Sequence, residues 1–311
     1  VMNMQNYQPD DVIYGDYQMA KFDGEYLQQL MAQFTPENMR VMVVAKGLNY
    51  NRQAKWYNTP YAVRNLTQKE ITQWSTSHQQ PDIAPSELHL PEENPYICYN
   101  LDPEPLESTS EIPELIEDKQ GFRLWHLQET EFRVPKGLAF IAIDSPHAVS
   151  TPQTIVKTRL CVEMFLDSLI QETYQAEIAG MGYNLYAHQG GVTLMLTGFS
   201  EKQAQLLDVI IHRFASREFS RSRFDSIKRQ MLINWRNAEK DRPVSQLFNA
   251  MTGILQPNNP PYPVLIEALE SIEVDELPVF VDKMLSTLHI EMFVYGDWTR
   301  GSAIDLATSL K

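Results

Sequence analysis

The sequence has 311 residues, of which 43% are hydrophobic and 10% aromatic. A disordered chain carries far fewer apolar side chains, so this composition predicts a folded chain with a buried core. Asp and Glu number 40 against 26 Lys and Arg, for a formal net charge of −14. This acidity argues against nucleic acid and against a membrane as partners, because nucleic acids and anionic membrane surfaces attract a dense basic face.

The first zone, residues 1–46, predicts one helix followed by one strand. Apolar residues from Tyr26 to Phe34 recur at helical spacing, and Thr35-Pro36 ends the helix. The run Met39–Ala45 is apolar and rich in β-branched residues, which is typical of a buried strand. One helix and one strand cannot enclose a core, so we expect this zone to pack on something else.

The second zone, residues 47–120, predicts an extended Pro-rich linker. Prolines recur from Pro60 to Pro113, and they disfavour regular structure apart from a short helix near Gln68–Ser75. A solvated linker gains no stability from large apolar side chains. We therefore expect the large apolar side chains of this zone to anchor the linker to a protein surface. These candidate anchors are Trp56, Tyr57, Tyr61, Trp74, Tyr96 and Ile97.

The third zone, residues 121–311, predicts a domain. Its predicted elements are strands at Phe122–Phe132 and Leu138–Asp144, a helix from Thr151-Pro152 to Gly180, a hairpin at Tyr183–Gly198, a helix opened by a Ser200/Gln203 capping box, further helices, and a last strand at His289–Tyr295. This order predicts an α+β fold, with an antiparallel or mixed sheet and helices packed on one face.

Motifs for catalysis or metal binding are missing from the sequence. The nearest two of the seven histidines are 11 positions apart, which excludes the paired histidines of a helical zinc motif. Cys161 lies in an apolar helical face beside Glu163, which does not favour a reactive thiolate. Glu163 and Asp167, one turn apart, could together bind a cation, but on a helix with one apolar face they are more simply its solvated side. We therefore expect no catalytic residue and no metal ligand in this chain.

Six groups of short motifs follow one another from the second zone to the last strand. They are Trp56-Tyr57-Asn58-Thr59-Pro60-Tyr61, Leu90-Pro91-Glu92-Glu93-Asn94-Pro95-Tyr96-Ile97, Leu124-Trp125 with Phe132-x-Val134-Pro135-Lys136, Tyr174-Gln175-Ala176-Glu177-Ile178-Ala179-Gly180 with Tyr183-x-Leu185, Gly198-Phe199-Ser200-x-Lys202-Gln203, and Leu288-His289-Ile290 through Gly296. Their order resembles that of the pitrilysin/insulysin (insulinase) family of zinc metallopeptidases. One departure is Asn58, where the family usually has Gly; Asn tolerates the left-handed conformation best among the other residues.

The resemblance implies a peptidase of four homologous domains, two per half, that enclose a chamber. Residues 1–46 would end the second domain, residues 47–120 would link the halves, and residues 121–311 would form a third, catalytically inactive domain. Zinc would be bound by the first domain of the parent enzyme and not here, where the equivalent helix reads Arg159 to Phe165 without a histidine. The implied partners are the remaining domains of the parent protease and its peptide substrates.

The hypothesis is thus a central, non-catalytic fragment of a zinc metalloendopeptidase, serving as chamber wall and hinge linker. Tyr183, Asn184 and Leu185 are the predicted peptide contacts, since an exposed strand edge can add a peptide strand; the simpler interpretation is that they are packing residues. The ends of the sequence suggest a fragment, and similarity to bacterial pitrilysins suggests the periplasm, with the cytoplasm also possible.

Two alternatives stay open. The first is a naturally truncated, inactive homologue that acts as a peptide-binding or scaffold subunit. The second is an independent enzyme that uses Glu163 or another carboxylate.

Overall fold

The chain forms two units, which divide after Pro91. The computed structural model describes residues 2–18, 21–76, 92–256 and 258–310. Among the helices of these residues, none is both long enough and apolar enough to cross a membrane. The boundaries that the sequence suggested at residues 46 and 120 stay predictions.

The first unit consists of short elements, and none of its described residues is buried. Besides four short 3-10 helices (Met2–Gln5, Pro9–Asp11, Gly15–Tyr17 and Pro36–Asn38), its elements are helix α1 (Gly24–Met31), strands β1 (Arg52–Gln53) and β2 (Pro60–Tyr61), and helix α2 (Gln68–Thr76). Both helices were predicted. Asn58, in the turn between β1 and β2, has a φ of +53°, the left-handed conformation for which Asn is well suited.

The strand predicted at Met39–Ala45 is wrong. These residues have no strand assignment, and Met42 and Val44 are 82% and 88% exposed. A strand needs a hydrogen-bonded neighbour, and this segment pairs with none of the described residues. The composition of this segment favours a β-strand, but composition does not show whether a neighbouring strand is available to pair with it.

The second unit is built on a six-stranded mixed sheet. Its strands are β3 (Glu114–Lys119), β4 (Phe122–Gln128), β5 (Lys136–Asp144), β6 (Gly182–Ala187), β7 (Gly191–Phe199) and β8 (His289–Gly296). The order across the sheet is β3-β4-β8-β5-β7-β6, with β4 and β8 parallel and every other pair antiparallel. The edge strand β3 was not predicted, because its sequence is dominated by charged residues.

Eight α-helices and one short 3-10 helix (Val274–Glu276) complete the described part of this unit. The α-helices are α3 (Pro146–Val149), α4 (Pro152–Ile178), α5 (Ser200–Ser216), α6 (Arg221–Ala238), α7 (Pro243–Leu255), α8 (Tyr262–Ser271), α9 (Leu277–Leu285) and α10 (Arg300–Thr308). The long helix α4 contacts α5, α6, α8 and α9 as well as strands β6 and β7. The predicted α+β class with a mixed sheet and packed helices is confirmed.

The ends of α4 show why its limits could be read from the sequence. The Thr151 hydroxyl accepts a hydrogen bond from the Thr154 N–H at 3.2 Å, and the Thr154 hydroxyl accepts one from the Thr151 N–H at 2.9 Å. This reciprocal capping satisfies N–H groups that the helix leaves unpaired. At the other end Gly180 has a φ of +79°, a conformation that costs glycine little.

The capping box predicted for Ser200 and Gln203 is wrong, although the helix itself is confirmed as α5. Ser200 is the first helical residue, and no side chain caps the helix. Gln203 is fully buried, and its amide donates instead to the carbonyl of Gly137 at 2.6 Å and to that of Gly198 at 3.2 Å. Its side chain therefore ties α5 to strands β5 and β7.

We expect Gln203→Leu to lower the free energy of unfolding by about 1–3 kcal/mol, because two buried carbonyls lose their side-chain donor. The matched control is Gln205→Leu, an exposed position on the same helix, where the change should stay within about 0.5 kcal/mol. Urea unfolding measures both values. Equal stability of the two variants would show that the Gln203 hydrogen bonds do not support the sheet.

Candidate functional site

The side of the sheet opposite to its buried core residues carries a patch of aromatic and aliphatic residues. On β4, β5 and β8, buried residues alternate with partly exposed ones that point to this second side. We call this patch the open face; it comprises Trp125, Leu127, Leu138, Phe140, Met195, Phe293 and Tyr295.

Ring stacking orders the centre of the open face. Phe140 lies opposite Phe293 across the β5–β8 pair, with ring centroids 6.4 Å apart, and Phe293 stacks on Tyr295 at 6.3 Å. Trp125 donates its indole N–H to the Glu291 carboxylate at 2.8 Å. The arrangement presents flat apolar surfaces with a carboxylate at one end, which suits contact with the side chains of an extended or unfolded polypeptide.

The predicted contact residues Tyr183, Asn184 and Leu185 lie on β6, which forms one edge of the sheet. Leu185 is buried in the core, and partly buried Tyr183 packs against that core, with its hydroxyl 3.4 Å from that of Thr173. Asn184 is exposed and pairs with Met195 of the open face. Of the three side chains, that of Asn184 is therefore the one placed on the open face, and peptide contact stays a prediction.

Residues 94–107, which we call the strap, are fixed along the second unit. The side chain of Asn94 donates to the carbonyl of Gln175 at 2.7 Å. Farther along, the buried carboxylate of Asp297 accepts the N–H of Glu104 at 2.8 Å. The buried Gln128 side chain accepts the N–H of Glu107, also at 2.8 Å, so buried polar side chains secure the strap through its backbone.

Aromatic anchoring was predicted for this region, and the outcome is divided. Tyr96, within the strap, is buried at 3% exposure and belongs to the core of the second unit. Trp56 and Tyr57, in the first unit, are 81% and 88% exposed, so the prediction is wrong for them. The large side chains are evident in the sequence, but the sequence does not show which of them pack against the rest of the protein.

Neither cysteine is placed for nucleophilic chemistry. Burial raises the pKa of Cys161. Partial burial and a hydrogen bond to Glu201 raise the pKa of Cys98 to about 11. Both thiols therefore stay protonated near neutral pH, whereas a thiolate is the reactive form.

The acidic residues of α4 and the histidines do not assemble into a metal site within the described ranges. There, no group of three or more His, Cys, Asp or Glu side chains is placed to hold an ion. A hydrogen bond from Arg223 lowers the pKa of Asp167, which is thereby occupied in an ion pair. The ring of buried His126 lies 2.8 Å from the carbonyl of Trp298. These residues do not fit the zinc ion that the family resemblance implies for a parent enzyme.

Comparison with known proteins identifies the family. A family model described as the middle or third domain of peptidase M16 matches residues 1–268 of this chain. The chain belongs to the peptidase M16 family. Its matched region is a middle-domain segment of that family, which fits the predicted resemblance.

Relatives place this M16 segment within longer proteins. Human insulin-degrading enzyme is 28% identical over 310 residues, which cover 98% of this chain and 30% of that protein. A nardilysin-like protein of Arabidopsis thaliana is 26% identical over 99% of this chain and 30% of its own length. The crystal structure of pitrilysin matches with a TM-score of 0.73 and 22% identity, over 99% of this chain and 32% of that one. The chain spans about a third of the length of these proteins.

Sequence reasoning missed two features of the second unit. The open face carries no motif, because its residues come from four strands that are distant in sequence. A cavity around Arg159 was also missed, although an arginine within the apolar pattern of α4 is an unusual residue that could have drawn attention.

The strap depends on Tyr96, so we expect Tyr96→Ala to lower the stability of the second unit by about 3 kcal/mol. It should also increase the rate of proteolytic cleavage within residues 94–107. Tyr99→Ala serves as the control, because Tyr99 lies in the same segment and is 72% exposed. Limited proteolysis followed by mass spectrometry gives the rates; equal cleavage of both variants would contradict an anchored strap.

Proposed function

We propose that this chain is a non-catalytic middle segment of a longer zinc metalloendopeptidase that degrades peptides and small unfolded polypeptides. The match to the middle or third domain of peptidase M16 supports this, as does the coverage of about a third of relatives such as insulin-degrading enzyme. Zinc and the residues that activate water would then belong to another part of the parent protein.

The open face is the observation that carries the role of this segment. Its aromatic and aliphatic side chains stay partly exposed, whereas the alternate residues of the same strands are buried. An exposed apolar patch marks a surface that another molecule contacts. Unfolded polypeptides expose apolar side chains that folded proteins bury, so such a surface favours unfolded substrates. We assign the open face to the wall of a chamber that holds the substrate.

The edge strand β6 offers a second mode of contact beside the open face. A peptide strand could pair with the backbone edge of β6 that no described strand occupies, and the exposed Asn184 would then lie next to the bound peptide. Tyr183 and Leu185 would support this edge from the core side. Peptide contact would therefore come from the backbone of β6 and from Asn184.

The linker would let the two halves of the parent enzyme open and close. Because the strap is held by buried side chains of the second unit, hinge motion would be confined to residues outside 94–107. A periplasmic location remains a prediction that rests on resemblance to bacterial pitrilysins.

The test places a photoreactive group on the open face of the longer gene product that contains this chain. With Tyr295→p-benzoylphenylalanine and a metal chelator present, a labelled unstructured peptide should cross-link to the protein. When zinc is restored, the same protein should hydrolyse the peptide. Tyr174→p-benzoylphenylalanine is the control, because Tyr174 is exposed on α4, outside the sheet.

Two results would contradict the proposal. Cross-linking of equal yield at both positions, or at neither, would show that the open face does not hold peptide. Cross-linking at position 295 without any hydrolysis after zinc is restored would contradict the peptidase. It would support the inactive, peptide-binding subunit instead.

A further inference from the structure

A cavity of about 450 Å³ lies among helices α4, α6, α7 and α8. Its wall includes Arg159 from α4, Gln246 and Asn249 from α7, and Asn259 and Tyr262 near the start of α8. This volume falls within the range of small-molecule and peptide side-chain sites. The cavity lies in the helical layer, and none of the open-face residues lines it.

Arg159 brings a positive charge into this cavity. The guanidinium is partly buried, and this burial lowers the pKa of Arg159. One of its N–H groups donates to the side-chain oxygen of Asn259 at 3.2 Å. Four of the five N–H donors of the group have no acceptor in the described structure. A cation that is partly desolvated and has free donors favours an anionic acceptor.

Arg217 and Arg221 of the second unit both form ion pairs. Arg217 pairs with Asp282 at 2.9 Å, and Arg221 pairs with Asp275 at 3.1 Å. Arg159 is partly buried, as Arg217 is, yet it forms no ion pair with a described carboxylate. The missing counter-charge is therefore expected to come from a ligand.

The position of Asn259 decides which of two cavities the ligand would use. Arg159 also lines a second cavity, of about 390 Å³, together with Glu163 and Trp235. Asn259 lines the first cavity and not the second, and it holds one guanidinium nitrogen on that side. We therefore assign the ligand to the first cavity, where Asn259 orients the guanidinium.

The charge and chemistry of the wall indicate the class of anion. Glu239, exposed at the edge of the cavity, would repel a phosphate dianion more strongly than a single negative charge. The amide side chains of Gln246 and Asn249 can exchange hydrogen bonds with peptide groups. We propose that this cavity binds a carboxylate of a peptide, with Arg159 donating paired hydrogen bonds to it.

Isothermal titration calorimetry of the purified chain tests the site with short peptides. Acetyl-trialanine with a free carboxylate should bind, and its C-terminal amide should not. A parallel pair, acetyl-Ala-Glu-Ala-amide and acetyl-Ala-Gln-Ala-amide, tests an acidic side chain as the source of the carboxylate. Binding of either carboxylate peptide, with no binding of its neutral counterpart, supports the site and identifies the source.

Variants connect that binding to the cavity. Arg159→Gln should weaken it about tenfold or more, as expected for the loss of a charge-assisted pair. Arg300→Gln removes the same charge from an exposed position on α10 and should leave affinity unchanged. Asn259→Asp should also abolish binding, because the new carboxylate would pair with Arg159 inside a folded protein.

Several outcomes would overturn the proposal. Absence of binding by both carboxylate peptides would do so, as would unchanged affinity in Arg159→Gln or in a folded Asn259→Asp protein. Inorganic phosphate that binds more tightly than either peptide would overturn the assignment to a peptide carboxylate. None of these results depends on peptide hydrolysis. A negative result would therefore disprove the carboxylate site without disproving the proposed peptidase function, which has a separate test.

Discussion

The position of β8 between β4 and β5 is the constraint on which the second unit depends. β8 is the last strand in the described sequence, yet it pairs in parallel with β4 and antiparallel with β5 along its length. Without it the sheet would separate into β3–β4 and β5–β7–β6. The close approach at its end requires glycine: Gly296 has a φ of +114°, and a Cβ there would lie 2.6 Å from the carbonyl oxygen of Lys136.

This central pairing also explains how one domain provides both a core and a contact surface. The three adjacent strands β4, β8 and β5 direct alternate side chains to the two sides of the sheet. One side is buried, and the other carries the aromatic residues of the open face. The strap itself is bound by Gln128 and Asp297, which lie at and just beyond the ends of β4 and β8. The surface assigned to peptide contact is thus positioned by the same strands that hold the core together.

The sequence predicted those parts of the fold that local rules determine. Thr151 and Gly180 set the limits of α4 through capping and a left-handed φ, which are properties of a few neighbouring residues. Predictions failed where the outcome depended on a distant partner. Met39–Ala45 has the composition of a strand but pairs with no strand among the described residues. Gln203 donates to carbonyls of two strands instead of capping its own helix. The cavity around Arg159 was missed for the same reason: its wall comes from four helices, and the sequence offered only the unusual arginine of α4 as a signal.

Native-state hydrogen exchange of the backbone amides tests the central place of β8 most directly. If β8 joins the two parts of the sheet, the amides of β4, β5 and β8 should exchange together, with the free energy of global unfolding. Exchange of β3 and β4 through a lower-energy opening, while β5, β6 and β7 stay protected, would contradict this account. The second unit would then be two separately stable parts that share a strand.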